Sequence, residues 1–410
     1  MNPTIVSFVY LFAGILFILG IKGLTKPKTA VRGNRLSALG MLIAVVVTLL
    51  DSSIVNFSYI IAGVLVGGIV GATMALRIQM TSMPQMVALL NGFGGGASLT
   101  IALAEYYSQL GQAPTSFADI LTPVVLSASA FGQGAEGTIA LVSIGLTVLI
   151  GAVTLTGSFV AFAKLQELMK KSYGLPGGPI GNAIFLAAAV AAVIALVMDP
   201  GNTVAMVSIV ALALLLGLFL VMPIGGADMP VVIALLNSYS GIAAALAGFI
   251  LGNTVLIVAG SLVGTSGLIL TQIMCVAMNR SLANVLFGKM AVGGDIVDAD
   301  EVYAGKVTSA QPDEVALMLE MAERVVIVPG YGMAMAQAQH AVRELADAME
   351  ARGTEVEYGI HPVAGRMPGH MNVLLAEAEV PYDKLVEMDR INPTFEDTDV
   401  VIIIGANDVT

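Results

Sequence analysis

Nine long apolar stretches occupy the first two thirds of the chain and limit its fold more than any other feature. A helix needs about 20 predominantly apolar residues to cross the hydrocarbon of a bilayer. Stretches of this kind lie at 4–24, 34–50, 54–76, 84–108, 136–163, 181–198, 203–222, 230–251 and 254–276. A tenth stretch, 120–131, is too short to span and is expected at the membrane interface. The pattern predicts a multi-span α-helical membrane domain over residues 1–280.

The charge differs between this part and the rest of the chain. Residues 1–280 hold 10 Lys/Arg and 7 Asp/Glu, whereas residues 281–410 hold 8 and 22. The acidic C-terminal part argues against nucleic acid as a partner, because phosphate binding needs clustered Lys and Arg. The single cysteine, Cys275, excludes an internal disulfide and a cysteine metal cluster. We expect no metal site.

Basic residues predict which loops face the cytoplasm. They follow the first, third, fifth and ninth stretches: Lys22, Lys26, Lys28, Arg32, Arg35, Arg77, Lys164, Lys170, Lys171, Arg280 and Lys289. The opposite loops carry Asp51, Asp119 and Asp199. This alternation places the N-terminus outside and the C-terminal part in the cytoplasm.

An internal repeat opens two of the apolar stretches. The segment Met83–Phe93 recurs as Met229–Tyr239, and each copy carries an asparagine seven residues after its proline. Asn91 and Asn237 would therefore lie roughly 10 Å into their helices at about 1.5 Å per residue. An amide at that depth must find partners and often marks a transport pathway. The alternative is an ordinary hydrogen bond between helices.

Two further polar residues are candidates for a proton pathway. Asp228 precedes the second repeat copy, where the helix dipole favours an anion, so it is either a simple cap or a proton site. Ser266 lies in the ninth stretch. All three histidines fall after residue 280, so protons crossing the membrane would need water, shifted carboxylates or a histidine from another chain.

The C-terminal part contains a strand, a glycine turn and a helix. The run from Arg324 to Val328 predicts a strand, and a helix is expected from about Met333 to Arg352, before a second strand at Glu355–Ile360. The turn between them supplies the candidate cofactor-binding residues Gly330, Tyr331, Gly332, Met333 and Ala334. Such a turn suits a dinucleotide pyrophosphate, although the third glycine of the usual motif is missing.

The end of the second strand indicates which dinucleotide is preferred. An NAD site usually has Asp or Glu there, whereas this chain has Ile360-His361-Pro362, which favours NADP. The following loop offers Arg366, Met367, Pro368, Gly369 and His370 for the phosphates. The alternative to phosphate binding is that Arg366 simply lies on a solvated loop.

The last predicted strand, Val400–Ile404, ends in a polar turn. In open α/β sheets ligands bind at the carboxyl ends of the strands, so Gly405, Ala406, Asn407 and Asp408 are candidates. Tyr382 and Asp383 are weaker ones. We expect residues 281–305 to be a linker and residues 306–410 to form an α/β Rossmann-like parallel-sheet domain.

These motifs together resemble the β subunit of the proton-translocating NAD(P) transhydrogenase over essentially the whole chain. The specific parts are Gly330–Ala334 with Gln337-Ala338-Gln339, the loop His361–His370 running into Met371–Ala378, Gly405–Asp408, and Asp228-Met229-Pro230 with Leu236–Gly241. The match extends over several long motifs in the same order, so it is more than a chance similarity of one motif.

The resemblance implies a function for each part. The cytoplasmic domain would bind NADP(H), and hydride would reach NADP+ directly from NAD(H) on a separate alpha subunit that adds further membrane helices. Inward proton movement through this multi-pass protein of the bacterial inner membrane would drive the reaction, and the assembled unit would be a dimer. Asn237 and Asp228 match positions tied to the proton path, Arg366–His370 the loop over the cofactor, and Asp408 an acidic residue linked to coupling.

The chain departs from the family in three places. Asn91 stands where some members have a histidine, and Asp389-Arg390-Ile391-Asn392 replaces the common Asp-Glu-Ile-Asn. The family continues beyond the position of Thr410 with a Lys-Arg segment and a final strand. We therefore expect the parallel-sheet domain to be C-terminally truncated in this sequence.

A second hypothesis is a transporter or channel whose dinucleotide domain only senses the redox state. The repeat and the glycine-rich helices are compatible with it. The two hypotheses differ in whether hydride is transferred.

Overall fold

The computed structural model describes residues 3–50, 57–78, 82–111, 131, 135–166, 168–169, 178–225, 228–278, 280–287, 308–362, 364–365 and 369–406. Within these residues nine helices are long and apolar enough to cross a membrane. They are α1 (Pro3–Leu24), α2 (Pro27–Leu49), α3 (Phe57–Arg77), α4 (Met83–Gln109), α5 (Ala135–Leu165), α6 (Pro179–Met198), α7 (Thr203–Val221), α8 (Met229–Ile250) and α9 (Thr254–Ala277). The nine predicted spans are confirmed. The tenth stretch, 120–131, lies outside the described residues except for Phe131.

Local sequence sets where several of these helices begin. Pro27 and Pro179 occupy the first turns of α2 and α6, where a missing N–H costs nothing. Helix α2 therefore begins before the apolar run predicted at 34–50. The side-chain oxygen of Asn202 caps α7 by accepting a hydrogen bond from the Ala205 N–H at 2.9 Å.

Small residues allow close packing between helices of this bundle. A Cβ atom on Gly151 of α5 would lie 2.7 Å from the carbonyl oxygen of Gly95 on α4. A Cβ atom on Gly241 of α8 would lie 2.4 Å from the backbone nitrogen of Gly264 on α9. Any larger residue would separate these helices, as expected where van der Waals contact drives association.

The C-terminal part forms a small α/β fold. Its elements are α10 (Leu282–Phe287), α11 (Pro312–Met321), β1 (Arg324–Pro329), α12 (Tyr331–Met335), α13 (Gln339–Glu350), β2 (Glu355–Ile360), α14 (His370–Glu377), β3 (Leu385–Glu387), α15 (Met388–Ile391) and β4 (Val400–Ile404). Short 3-10 helices cover Tyr382–Lys384 and Asn392–Asp397. All strands pair in parallel in the order β3-β2-β1-β4. The predicted fold class, a multi-span helical domain followed by a parallel-sheet domain, is confirmed.

Alternating side chains of β1 pack on opposite faces of the sheet. Val325 and Ile327 belong to the larger core, which includes residues of α13 and α14. Val326 and Val328 belong to a smaller core with Val386 and Ile391. This is the burial expected of a β-branched strand in the middle of a parallel sheet.

The helix predicted from Met333 to Arg352 is interrupted, which corrects that prediction. The N–H of Gln337 donates to the carbonyl of Ala334 at 3.1 Å, and the N–H of Ala338 donates to that of Met333 at 3.0 Å. This pair of bonds is the Schellman motif that ends helices, with Gln337 at φ 52° in the position usually held by glycine. The segment therefore forms α12 and α13 instead of one helix.

By their internal contacts, the residues divide into two compact units. The first comprises 1–78, 85–223 and 232–272, and the second 79–84, 224–231 and 273–410. Helix α10 lies within the predicted linker 281–305. The boundaries of the three predicted domains stay a prediction.

Candidate functional site

Two glycine-containing turns meet at the carboxyl ends of β1 and β4. These strands are parallel neighbours, with Pro329 opposite Ile404. The N–H of Gly330 donates to the carbonyl of Ile404 at 2.8 Å, and the N–H of Gly332 donates to that of Gly405 at 2.6 Å. Motifs that lie 75 residues apart in the sequence thus form one junction at the edge of the sheet.

The close approach of these turns requires glycine. A Cβ atom on Gly330 would lie 2.3 Å from the Cα atom of Ala406. Gly405 has φ +65°, and a Cβ atom there would lie 2.1 Å from the backbone nitrogen of Met333. A side chain would push the two turns apart, and at Gly405 it would also meet an unfavourable backbone conformation.

The junction also marks the point where the strand order reverses. From β1 the chain moves through β2 and β3 to one side of the sheet and then returns to place β4 on the other side. In open α/β sheets, ligands bind in the crevice at the carboxyl ends of the strands at this switch point.

His370 lies beside the first turn. Its ring centroid is 6.1 Å from that of Tyr331, at an interplanar angle of 50°. His370 is fully buried at the start of α14 and follows Gly369, which has φ +69°. A Cβ atom on Gly365 would lie 2.4 Å from Nδ1 of His370. The structure thus places His370, the last residue of the predicted phosphate loop, between Tyr331 and Gly365.

Five predicted cofactor residues lie outside the described residues. They are Arg366, Met367 and Pro368 in the loop, and Asn407 and Asp408 after β4. Their roles stay predictions.

Tyr382 and Asp383 lie away from the glycine junction. They form a short 3-10 helix with Lys384, before β3. Lys384 pairs with Glu350, the last residue of α13, whereas the first glycine turn, with Gly330 and Gly332, comes before the start of that helix. The structure does not bring these two residues together with the other candidates, and their assignment to the site stays a prediction.

An apolar cavity of about 270 Å³ lies on the sheet face that carries the smaller core. It is lined by Val328, Gly359, Ile360, His361, Met388, Ile391, Asn392, Phe395, Val401 and Ile403. Burial lowers the pKa of His361, which favours the neutral imidazole at neutral pH. The volume is just below the roughly 300–1,000 Å³ of pockets for drug-sized ligands, so the cavity can take one ring system but not a whole dinucleotide.

Sequence reasoning missed Glu387 and Met388 at this edge. Glu387 pairs in register with Ile360, so its carboxylate lies one strand away from the end of β2. Strand β3 has only three residues, and its hydrophobic pattern is too short to be recognised.

The two repeat asparagines differ in their surroundings. Asn91 is buried, and its Nδ2 donates to the carbonyl of Ile233 on α8 at 3.3 Å. Asn237 is half-buried, and within the described residues its side-chain amide makes no hydrogen bond. Ser266 is exposed, and its hydroxyl donates to Val263 of its own helix at 3.0 Å. Asn91 therefore has the contact expected of interhelical packing, whereas the amide of Asn237 can accept another partner.

Asp228 forms an ion pair that the sequence did not reveal. Nη1 of Arg280 donates to its two carboxylate oxygens at 3.1 and 2.8 Å. Burial raises the pKa of Asp228, and the charge and hydrogen bonds of Arg280 oppose that rise. Small changes near a carboxyl under such opposing influences can shift its protonation.

Fold and sequence together define a class. The chain is a multi-pass membrane protein with a Rossmann-like parallel-sheet domain after its last span. Residues 6–410 match the family described as NAD(P) transhydrogenase beta subunit. Two relatives from Rhodospirillum rubrum, one recorded for a named strain, are each called "NAD(P) transhydrogenase subunit beta". Both are 43% identical over 415 residues, which cover 100% of this chain and 85% of theirs.

The chain belongs to the NAD(P) transhydrogenase beta subunit family. It is a subunit of an enzyme of that kind, and the predicted resemblance is confirmed. The name beta subunit implies an alpha subunit as partner.

Proposed function

We propose that this chain binds NADP+ and receives hydride directly from NADH held by an alpha subunit, in a reaction coupled to inward proton movement across the membrane. The observation that carries the proposal is the junction of Gly330, Gly332 and Gly405 at the switch point of the sheet, in a chain that also supplies nine spans. Family membership provides the reaction class.

The residues at this edge fit a dinucleotide. The three glycines let the two turns pack against each other and so fix the backbone at the carboxyl edge of β1 and β4, and the neighbouring cavity can take a flat ring. No carboxylate follows β2 directly, since the chain there is Ile360-His361, and this favours NADP(H) over NAD(H). Tyr331 and Gly369 would hold the cofactor, with Arg366–Pro368 contributing from the loop, and the fully buried His370 would support Tyr331 from behind.

Bound NADP+ would supply the ring carbon that accepts hydride. The protein then needs no acid or base at the reacting atoms, because hydride passes between two rings held in contact. The role of Gly330, Gly332 and Gly405 is to fix the position of the backbone at the site. The apolar lining formed by Val328 and Ile391 would keep water from that side of the ring.

Proton movement would act on the cofactor site through linkage. If protonation in the membrane domain favours one conformation of the cofactor site, cofactor binding must favour the matching protonation state. Asn237, with an amide open to further partners, and Asp228, with its opposed influences on pKa, are the residues we assign to this role. Asn91 and Ser266 are secondary candidates.

We further propose the setting in which this happens. The alpha subunit carries the NAD(H) domain and additional membrane helices, and the assembled unit is a dimer. The protein lies in a bacterial cytoplasmic membrane with its N-terminus outside and the parallel-sheet domain in the cytoplasm, as the basic loops predict.

The test is hydride transfer by the assembled enzyme in vesicles. With the alpha subunit present, the chain should transfer hydride from NADH to an NADP+ analogue and acidify the vesicle interior in the reverse direction. Ion flux gated by nucleotide, without any hydride transfer, would instead support a redox-sensing transporter.

Cofactor binding can be tested separately on the full chain. Arg366→Ala should weaken NADPH binding by about tenfold or more, because it removes a cation available to a phosphate. Arg352→Ala is the control, since Arg352 pairs with Glu320 beyond the far end of α13. Unchanged affinity in Arg366→Ala would assign that arginine to a solvated loop.

A further inference from the structure

The hairpin of α1 and α2 carries a concentrated positive charge. Residues 1–50 contain five basic residues and no Asp or Glu. The five are Lys22, Lys26, Lys28, Arg32 and Arg35, all exposed. Within the described residues none of them forms an ion pair. Together these five residues form the basic patch.

Three members of the patch share one face of α2. Lys28, Arg32 and Arg35 are spaced at i, i+4 and i+7, which places them in one stripe along the helix. The opposite face packs on α1. There a Cβ atom on Gly33 would lie 2.6 Å from the carbonyl oxygen of Gly20, and one on Gly40 would lie 3.1 Å from that of Ala13. The close contact with α1 fixes the stripe so that it points away from the hairpin.

The depth of the stripe is set by the length of the apolar part of α2. Residues 36–49 rise about 21 Å at about 1.5 Å per residue, which is less than the roughly 30 Å of bilayer hydrocarbon. Arg35 therefore lies at or just inside the edge of the hydrocarbon, with Arg32 and Lys28 closer to the headgroups along the same helix. Long basic side chains at such a position extend toward the headgroups.

We propose that the basic patch binds the phosphate headgroups of anionic phospholipids. The guanidinium groups of Arg32 and Arg35 can each donate two parallel hydrogen bonds to a phosphate. Clusters of four or more Lys and Arg beside a membrane span are the usual feature of such recognition. With no acidic residue in the hairpin, the patch has no internal counter-ion and takes the lipid phosphate instead.

A single tryptophan can report which lipid lies beside the stripe, because the chain has none of its own. Leu39 follows Arg35 by one turn on the same face and is 46% exposed. Leu39→Trp in the full chain would be placed in vesicles that contain phosphatidylglycerol and phosphatidylcholine, with either lipid brominated. Ile69→Trp on α3 is the matched reporter, since that position is 66% exposed and only one cation, Arg77, lies within α3.

Brominated phosphatidylglycerol should quench Leu39→Trp at least about threefold more strongly than brominated phosphatidylcholine at equal mole fraction. The preference should disappear when Arg32→Gln and Arg35→Gln are added and should persist in part with Arg32→Lys and Arg35→Lys. Ile69→Trp should show little preference.

Two results would overturn the proposal. One is equal quenching of Leu39→Trp by both lipids, which would mean that the patch does not select the headgroup. The other is loss of the preference when inorganic phosphate is added at constant ionic strength, which would assign the patch to free phosphate rather than lipid.

Discussion

Asp228 and Arg280 form an ion pair in which only one partner is shielded from water. The side chain of Asp228 is 4% exposed, whereas the side chain of Arg280 is 47% exposed. Arg280 can be solvated without its partner, but Asp228 cannot. Loss of the arginine should therefore be more harmful than loss of the negative charge on the aspartate.

Arg280→Gln should destabilise the full chain by on the order of 1–2 kcal/mol. This is less than the roughly 3–5 kcal/mol for a fully buried pair, because water already screens Arg280. Asp228→Asn should cost less, since an amide needs no counter-ion. Thermal unfolding in detergent measures both, with Arg77→Gln as a control of equal charge change. If Asp228→Asn does not offset part of the Arg280→Gln loss in the double variant, the two residues are not coupled.

Gly405→Ala should destabilise the parallel-sheet domain by on the order of 2–4 kcal/mol, because a Cβ atom combines backbone strain with a collision at Met333. Gly353→Ala is the matched control, with φ +98° but nothing within 4 Å of the added atom. It should cost only about 1 kcal/mol. Hydrogen exchange of the β1 amides in the full chain compares the two. Equal losses would mean that the junction tolerates a side chain.

His361 should make the stability of the parallel-sheet domain depend on pH. Burial lowers its pKa in the folded state below the usual value of about 6.5, so the unfolded chain binds a proton that the folded chain does not. Stability should fall as the pH drops below about 6.5 and recover above it. Protection factors of the β1 amides, which correct for the intrinsic change of exchange with pH, should show this trend, and His361→Gln should flatten it. The exposed His340 provides the control, since His340→Gln should leave the trend as it is. A trend that survives His361→Gln would assign it to other groups.

Asn237→Leu should reduce proton-coupled turnover at least about tenfold while leaving NADPH binding nearly unchanged, because the amide lies in the bundle and not at the glycine junction. Asn182→Leu tests whether loss of any bundle amide has this effect, since Nδ2 of Asn182 donates to Phe219 on α7 at 3.5 Å. The Asn182→Leu variant should leave the ratio of coupled to uncoupled turnover unchanged. A parallel loss of turnover and NADPH affinity in Asn237→Leu would contradict the pathway role.

The sequence predicted those features that depend on local pattern. The strands Glu355–Ile360 and Val400–Ile404 have the predicted bounds, because short β-branched runs between turn residues are distinctive. Both repeat copies begin helices at Met83 and Met229, since proline in the first turn is a strong start signal.

Features that depend on tertiary placement could not be predicted. The pairing of Arg280 with Asp228 joins residues 52 positions apart, and the sequence indicated only a basic loop residue. The break at Gln337 was missed because a non-glycine residue with positive φ leaves no composition signal.

The most direct test of the account is the response of hydride transfer to an imposed pH gradient. The chain and its alpha subunit would be reconstituted in vesicles. Transfer of hydride from NADH to an NADP+ analogue would be followed on the side of the membrane that holds the parallel-sheet domain. Acidifying the opposite compartment should accelerate transfer several-fold, and an uncoupler should abolish the acceleration. A transfer rate that stays the same with and without the gradient would contradict the coupling of this site to the membrane helices.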